Sequence, residues 1–278
     1  MSRTLLRAAI WGVTGYAGRE LARLLLAHPG VEVAAAISRE PASSHLAGIH
    51  PSFAALPGAA EVTMLPSEPA PDLAGIDVVF FALPHGASAE PAAAALAAGC
   101  RVVDLGADFR LRDAQAYEQW YGRRHPVPEL LSEAVYGLPE WTARLHDGRD
   151  PLPGARLVAV PGCYPTGALL ALLPLAAAGL LDPDSIVIDS KSGASGAGRS
   201  PGDHFTFSEV HGNVRAYGVA RHRHTPEIEQ ARALTGSDRP VSFTPHLIPA
   251  SRGILTTVYA RLAGDLPVEA AAEAAADA

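Results

Sequence analysis

The chain has 278 residues, 48% of them hydrophobic, and its 22 Lys and Arg against 29 Asp and Glu give a formal net charge of −7. That length holds one large or two ordinary domains with full cores, two being the better fit, and the acidic balance excludes attraction to nucleic acid or an anionic membrane. Two cysteines, Cys100 and Cys163, are too few for a disulfide framework and point to a reducing cytoplasm.

In chain order, Arg7 to Gly12 is predicted as a short apolar strand running into a glycine turn, a pattern that argues against a signal peptide. Glu20 to Ala27 follows as a helix closed by His28-Pro29-Gly30, and Val31 to Ile37 as a second, continuously apolar strand. Strand, helix and strand in that order are the unit of a parallel sheet. Asp77 to Leu83 and Arg101 to Gly106 continue the sheet, with Ala89 to Ala98 as an intervening helix and Cys100 as a buried residue at a strand start. From Arg123 to Pro153 there is little regular pattern apart from Val135 to Glu140, as in a long connection or domain edge. Leu157 to Leu181 is an uncharged stretch long enough to cross a bilayer. Pro161, Gly162, Pro165, Gly167, Pro174 and Gly179 divide it instead into strand, turn, helix and loop of a soluble core.

Three places carry chemistry. Between the first strand and helix lie Gly12, Gly15 and Gly18, one glycine every third residue, with Thr14, Tyr16 and Ala17 between them. Glycines there let the backbone approach a pyrophosphate at a helix N-terminus, and the strand–turn–helix context is the one a dinucleotide fingerprint needs. The second strand ends in Ser38-Arg39, where an NAD-selective protein usually has an acidic residue, so arginine favours the 2′-phosphate of NADP; Glu40 next to it leaves a plain surface arginine open.

Cys163 stands where an apolar strand turns into the helix-forming run Ala168 to Leu173, with Pro165 fitting the first helical turn. A thiol at the positive end of a helix is disposed to ionise and act as a nucleophile, whereas a structural cysteine is a small inert core residue. In Arg221-His222-Arg223-His224-Thr225-Pro226-Glu227, two histidines two apart point the same way on an extended segment. Glu227 reaches His224 if a helix begins at Pro226, which gives a carboxylate-oriented imidazole for acid–base work. Arg215, Arg221 and Arg223 make the surroundings attractive to an anion. A solvated basic loop is the plainer alternative, and a metal site of Cys163, His222 and His224 lacks the compact spacing of zinc ligands, so no metal is expected. The run Asp189 to Arg199, rich in Ser and Gly, offers amides and hydroxyls to an anion or a nicotinamide carboxamide, or else is a flexible linker. Lys191 is the only lysine in the chain, and nothing near it predicts an apolar pocket for Schiff-base chemistry.

Taken together, Gly12-Val-Thr-Gly15-Tyr-Ala-Gly18, Leu83-Pro84-His85-Gly86, Asp104-Leu-Gly-Ala-Asp108-Phe-Arg110, Val160-Pro-Gly-Cys163-Tyr-Pro-Thr-Gly167, Ser190 to Arg199 and His222-Arg-His224-Thr-Pro-Glu227 resemble the N-acetyl-γ-glutamyl-phosphate reductases of arginine biosynthesis. The resemblance is ordered along nearly the whole chain. The related reductases of carrier-linked lysine biosynthesis tend to carry a Gly-Cys-Asn-Ala type sequence at the nucleophile, so Tyr164-Pro165 favours the arginine enzymes.

The resemblance implies an α/β fold, with a Rossmann-type NADP-binding domain over 1–160 and an α+β catalytic and oligomerisation domain over 161–278, as in aspartate-semialdehyde and glyceraldehyde-phosphate dehydrogenases. It implies reduction of N-acetyl-γ-glutamyl phosphate by NADPH through a thioester on Cys163, in a cytoplasmic homodimer or homotetramer. His224 would be the acid–base residue oriented by Glu227, and His222 would help hold the oxyanion. Gly12, Thr14, Gly15, Tyr16, Ala17, Gly18, Ser38, Arg39, Pro84, His85, Ser192 and Gly193 would bind NADP(H). Arg110, Ser195, Gly196 and Arg199 are the candidate substrate contacts. Proteins of this type continue past the point where this chain stops, in the helix-forming run from Val268 to Ala278, and a missing return helix would leave apolar surface uncovered on the dinucleotide domain. Two rival readings are a non-catalytic NADP-binding redox sensor, which needs no acid–base pair, and a cysteine hydrolase, which has no use for the three glycines.

Overall fold

The computed structural model describes residues 5–39, 45–146, 148–199, 202–233, 239–264 and 267–276, so Glu40 lies outside the described residues. The chain divides into two compact units, one of Met1–Ala114, Arg124–Gly137 and Pro153–Val160, the other of Gln115–Arg123, Leu138–Leu152 and Pro161–Ala278.

In the first unit, β1 (Leu6–Trp11), β2 (Val31–Ser38), β3 (Thr63–Pro66), β4 (Val78–Phe81), β5 (Arg101–Asp104), β6 (Val135–Tyr136) and β7 (Leu157–Ala159) form one sheet. Their order is β3-β2-β1-β4-β5-β7-β6, with every neighbouring pair parallel. The helices of this unit are α1 (Tyr16–Leu26), α2 (Leu46–Ile49) and α3 (Ala89–Ala97). Successive strand side chains point to opposite faces, and both faces of this sheet are covered. Ala8 and Ile10 join Val33 and, from α1, Ala22 and Leu25 in one core; Ala9 and Trp11 join Ile37, Phe81 and, from α3, Ala92 in the other. Burial on both sides is why these strands read as continuous apolar runs.

Strand order reverses beside β1, because the chain runs outward through β2 and β3 and then crosses to β4 on the other side of β1. Ligands of open α/β sheets bind beyond the carboxyl ends of the strands at such a reversal. The turn Gly12–Gly18 and the loop Leu83–Gly86 both start there.

Helix α1 begins at Tyr16 and not at Glu20, because Gly15 enters it in extended conformation (φ −77°, ψ 167°) and Gly18 is accommodated inside the first turn. The region 123–153 also holds more than a connection. It contains a 3₁₀ turn at Pro128–Ser132, strand β6 and a helix over Pro139–Leu145 that Pro139 opens at its first position.

The second unit contains α4 (Ala114–Tyr121) except for its first residue, α5 (Pro139–Leu145), α6 (Cys163–Ala177), α7 (Phe207–Val210), α8 (Thr225–Ala233) and α9 (Val268–Ala276). Its sheet, of β8 (Val187–Ser192), β9 (Arg215–Ala216), β10 (Ser242–Leu247) and β11 (Ile254–Tyr259), has the order β11-β8-β10-β9. The β8–β10 pair is parallel and the other two are antiparallel.

Helix α6 is apolar nearly all round and packs against β11 and α8. A Cβ on Gly167 would lie 3.1 Å from Thr256 Oγ1, so the glycine lets the helix sit close on the sheet. Pro174 does not end α6 as the sequence suggested. The helix runs on to Ala177, because Pro174 removes one backbone donor while the buried Leu169, Leu172 and Leu173 hold the surrounding turns in place. No helix of the described residues is long and apolar enough to cross a membrane.

Candidate active site

Cys163 is the first residue of α6 and is exposed, while Cys100 is buried, with burial first and the Asp77 charge second raising its thiol pKa. Gly162 precedes the helix in extended conformation (φ −64°, ψ 158°), and its carbonyl accepts from both Thr166 N and Thr166 Oγ1 at 2.9 Å. Its own amide donates to Glu227 Oε1 at 2.7 Å. Glu227 lies in the first turn of α8 and is fully buried. The glutamate predicted to orient His224 fixes the backbone that presents the cysteine.

The histidines meet, but not along an extended segment. Residues 218–225 are a turn, closed by Arg221 N on Gly218 O and Thr225 N on His222 O, with Gly218 and Ala220 both at φ +57°. Folding the turn sets the two imidazoles edge to face at 4.9 Å. His222 also packs edge-on against Tyr164, Tyr217 and Phe243 at 5.4–5.6 Å, and His224 against Tyr164 at 5.8 Å. The amide of His224 donates to His222 Nδ1 at 3.2 Å. A neutral His222 therefore carries its hydrogen on Nε2. Helix α8 starts at Thr225, and Ile228 N donates to His224 O, so His224 stands at the helix N-terminus.

Tyr217 was not singled out from the sequence. Its hydroxyl lies 2.6 Å from that of Tyr164, the residue after the cysteine. Burial, followed by the Tyr164 hydrogen bond and the neighbouring Tyr164 and Cys163 charges, pushes the Tyr217 phenol far above the usual range; burial also raises Tyr164. Both phenols stay protonated beside the nucleophile. Of the three arginines thought to attract an anion, Arg221 is exposed, Arg215 donates to His204 O, and Arg223 lies 5.7 Å over the Tyr121 ring.

The Ser/Gly run is neither a loose linker nor an amide cradle. The amides of Gly193, Ala194 and Ser195 donate to the carbonyls of Gly253, Ala250 and Ser251, so the nicotinamide or anion contact expected from Ser192-Gly193 and its neighbours cannot use them. A Cβ on Gly193 would come within 2.8–2.9 Å of the 250–252 backbone, which accounts for that glycine by packing alone. Ser192 is buried with its hydroxyl on Gly193 O; Ser195 is half-buried, and Gly196 and Arg199 are exposed.

In the first unit, the glycine turn is built for close approach. A Cβ on Gly12 would lie 2.4 Å from Ala82 O, and one on Gly18 would lie 2.3 Å from Gly12 O; at Gly15 the nearest atom is 3.5 Å away. Two of the glycines are demanded by the fold and the third keeps the mouth of α1 open. No side chain caps α1, and uncapped amides at a helix start are the donors a pyrophosphate uses. Thr14 is half-buried, and Tyr16 and Ala17 are exposed at the same turn. Buried His50, which the sequence did not announce, donates from Nε2 to Val13 O at 3.0 Å and braces the turn. Ser38 is buried at the end of β2, and Arg39 after it is exposed, as are Pro84 and His85.

Arg110 corrects its reading as a substrate contact. It is 6% exposed, and its guanidinium donates to Val160 O and Leu105 O, both at 2.8 Å, so it ties the residue after β7 to the residue after β5.

A two-unit chain with a doubly wound dinucleotide crevice and an exposed cysteine opening a helix is the architecture of a semialdehyde dehydrogenase, and the chain belongs to that family. The profile of the semialdehyde dehydrogenase NAD binding domain matches residues 7–147, and that of the dimerisation domain residues 163–278. Among solved structures it is similar to aspartate semialdehyde dehydrogenase II of Vibrio cholerae (TM-score 0.69, 16% identity, covering 98% of this chain and 78% of that one). The enzyme of Candida albicans with NADP is comparable (TM-score 0.68, 16% identity, 98% and 76% covered). Within the family, the chain falls among the N-acetyl-γ-glutamyl-phosphate reductases. It is 49% identical over 267 residues to that of Symbiobacterium thermophilum, covering 95% of this chain and 74% of the relative. It is 48% identical over 259 residues to that of Moorella thermoacetica, covering 93% and 72%.

Proposed function

We propose that the chain reduces N-acetyl-γ-glutamyl phosphate to N-acetylglutamate 5-semialdehyde and phosphate with NADPH, through a thioester on Cys163. The observation that carries this reading is the exposed Cys163 at the head of α6, held through Gly162 by Glu227 and bordered by Tyr164, whose ring touches both histidines.

Cys163 Sγ attacks the γ-carbonyl carbon; the S–C bond forms, the C–O bond to phosphate breaks, and phosphate leaves. His224 accepts the thiol proton before attack and serves as acid and base when the hemithioacetal formed on Cys163 collapses to aldehyde and thiolate. His222 presents its Nε2–H to the oxygen that becomes negative, since its Nδ1 already accepts from the His224 amide. The buried rings of Tyr164 and Phe243 keep water from that imidazole. When bound, NADPH supplies the hydride. The open helix mouth at Gly15 suits its pyrophosphate, and exposed Arg39 after β2 favours the 2′-phosphate. Exposed Arg199 and Gly196 and half-buried Ser195 are the remaining substrate contacts, without Arg110.

Two copies pair through the open face of the second sheet. Val187, Leu255 and Tyr259 are 44%, 66% and 56% exposed there, and they share it with Asp189, whose carboxylate meets Lys191 Nζ at 2.8 Å and His246 Nδ1 at 2.9 Å. Apolar side chains around a paired charge are the composition of a self-complementary interface.

The test is the reverse reaction with N-acetylglutamate semialdehyde, NADP⁺ and phosphate, followed by NADPH absorbance in wild type, Cys163→Ala and Leu255→Asp. Phosphate-dependent NADPH formation that is lost in Cys163→Ala supports the reading. A folded, NADP-binding chain that forms none contradicts it. Leu255→Asp is expected to halve the mass measured by light scattering, and an unchanged mass removes this face as the interface.

A further inference from the structure

The carboxylate of Asp108 accepts four hydrogen bonds from one loop. Gly86 N donates to Oδ1 at 2.6 Å, while Ser88 N (3.0 Å), Ser88 Oγ (3.0 Å) and Ala89 N (3.1 Å) reach Oδ2. These amides open α3, whose N-cap residue, Ser88, makes no capping bond of its own. Asp108 caps the helix from a different segment. The loop it grips, 83–88, follows β4 at the strand-order reversal and borders the glycine turn, since a Cβ on Gly12 would meet Ala82 O and, at 3.1 Å, Leu83 Cδ2.

The same serine holds a second carboxyl. Ser88 Oγ is 3.0 Å from Asp104 Oδ2 as well as from Asp108 Oδ2, and all three residues are fully buried. A serine hydroxyl has one hydrogen to give. One of the two acids must therefore bring its own, and Asp104 is that acid. Burial first, and then the Asp108 charge, push its carboxyl up to about 7, against the opposing effects of Gly106 N, Ser88 and Arg110. The donors run from Asp104 O–H to Ser88 Oγ, and from Ser88 O–H to Asp108. The other charged or titratable groups near the cluster are Arg110, His125, whose Nε2 donates to Asp108 O at 2.8 Å, and exposed His85 on the loop itself.

We propose that Asp108 is a positioning residue for the dinucleotide, gripping the 83–88 loop at the crevice, and that the proton on Asp104 keeps this grip closed. The proposal rests on the reading of the first unit as the NADP site. When Asp104 releases its proton to solvent, one hydrogen is left between two buried carboxylates, and their repulsion loosens Ser88 and the loop with it.

The test follows two quantities from pH about 6 to about 8.5, across the titration of a carboxyl of that kind. One is exchange of the Gly86, Ser88 and Ala89 amides in the free protein, corrected for intrinsic rates; the other is NADP⁺ affinity by calorimetry. Both are measured in wild type, Asp104→Asn and Ser88→Ala. The carboxamide that Asp104→Asn introduces donates to Ser88 at every pH, so that variant is expected to hold its affinity and loop protection, while wild type loses about 5-fold in both relative to it. The 2′-phosphate of NADP⁺ titrates near pH ~6 in all variants and drops out of the comparison. Ser88→Ala, which breaks the relay without charging it, is expected to bind weakly and exchange fast with no pH step. Identical pH profiles for wild type and Asp104→Asn, or undiminished protection in Ser88→Ala, overturn the proposal. Failure of every variant to bind NADP⁺ would sink the cofactor reading instead, and the exchange data would still decide the loop's grip.

Discussion

Glu227 accepts a hydrogen bond from the amide of Gly162, the residue directly before the cysteine, across 2.7 Å. One buried carboxylate thereby couples the helix that begins beside His224 to the turn that presents Cys163. Glu227→Ala leaves that amide without its acceptor and is expected to destabilise the chain by about 1–3 kcal/mol. Misplacing the nucleophile by even ~1 Å is expected to lower kcat about 100-fold. Glu227→Gln keeps an acceptor oxygen and should retain most of the stability. Denaturant melts and steady-state kinetics on the two variants check both effects.

The two thiols differ in access. Cys163 is exposed and Cys100 is buried with its Sγ on Ile76 O at 3.3 Å. A chromogenic disulfide reagent should titrate one thiol in native protein and the second only after denaturation. Peptide mapping of the native adduct should find the label on Cys163, and a native count of two would contradict the packing around Cys100.

Three glycines that look alike in sequence should fail in different ways. Gly12→Ala and Gly18→Ala place a Cβ 2.3–2.4 Å from backbone oxygens, so both are expected to unfold or strongly destabilise the first unit. Gly15→Ala meets nothing closer than 3.5 Å and should melt like wild type. It is expected to weaken NADP⁺ binding at least ~10-fold by obstructing the helix mouth. Paired melting and calorimetry curves separate the two outcomes.

Stability should decline between pH about 4 and about 7 because of Asp104. Its carboxyl sits at about 7 in the fold against 3.8 as the ordinary value, with burial the main cause. The folded chain therefore holds a proton that the unfolded chain has lost in this window, so the cost of Asp104 is absent below the lower value and complete above the upper one. Asp104→Asn is expected to remove this share of the slope and to be more stable than wild type at pH ~8, as chemical denaturation at a series of pH values would show.

Strands β1, β2, β4, β5 and β7 were legible because burial on both faces left continuous apolar runs, as in Val31 to Ile37, and because Gly12, Gly15 and Gly18 stand between strand and helix, whereas the short edge strand β3, with its ends exposed, left no such run. Cys163 was legible for a similar reason, its strand and helix being adjacent in sequence. What the sequence hid was pairing at long range. Nothing local to Glu227 says that it reaches Gly162, 65 residues away, and nothing local to Tyr217 says that it meets Tyr164. Arg110 misled for the same reason, since an arginine in a polar motif looks free until the carbonyls of Leu105 and Val160 are brought to it. The Ser/Gly run from Ser192 misled in the opposite way, its amides being used by residues 250–253 and not left to a ligand.

A covalent acyl group on Cys163 is detected by mixing the protein with N-acetyl-γ-glutamyl phosphate in the absence of NADPH and recording intact mass. The expected result is an increment of one N-acetylglutamyl group without phosphorus, located on the peptide carrying Cys163, absent from Cys163→Ala and released as aldehyde when NADPH is added. Turnover of the acyl phosphate with no such adduct in wild type, or with the same adduct in Cys163→Ala, would contradict it.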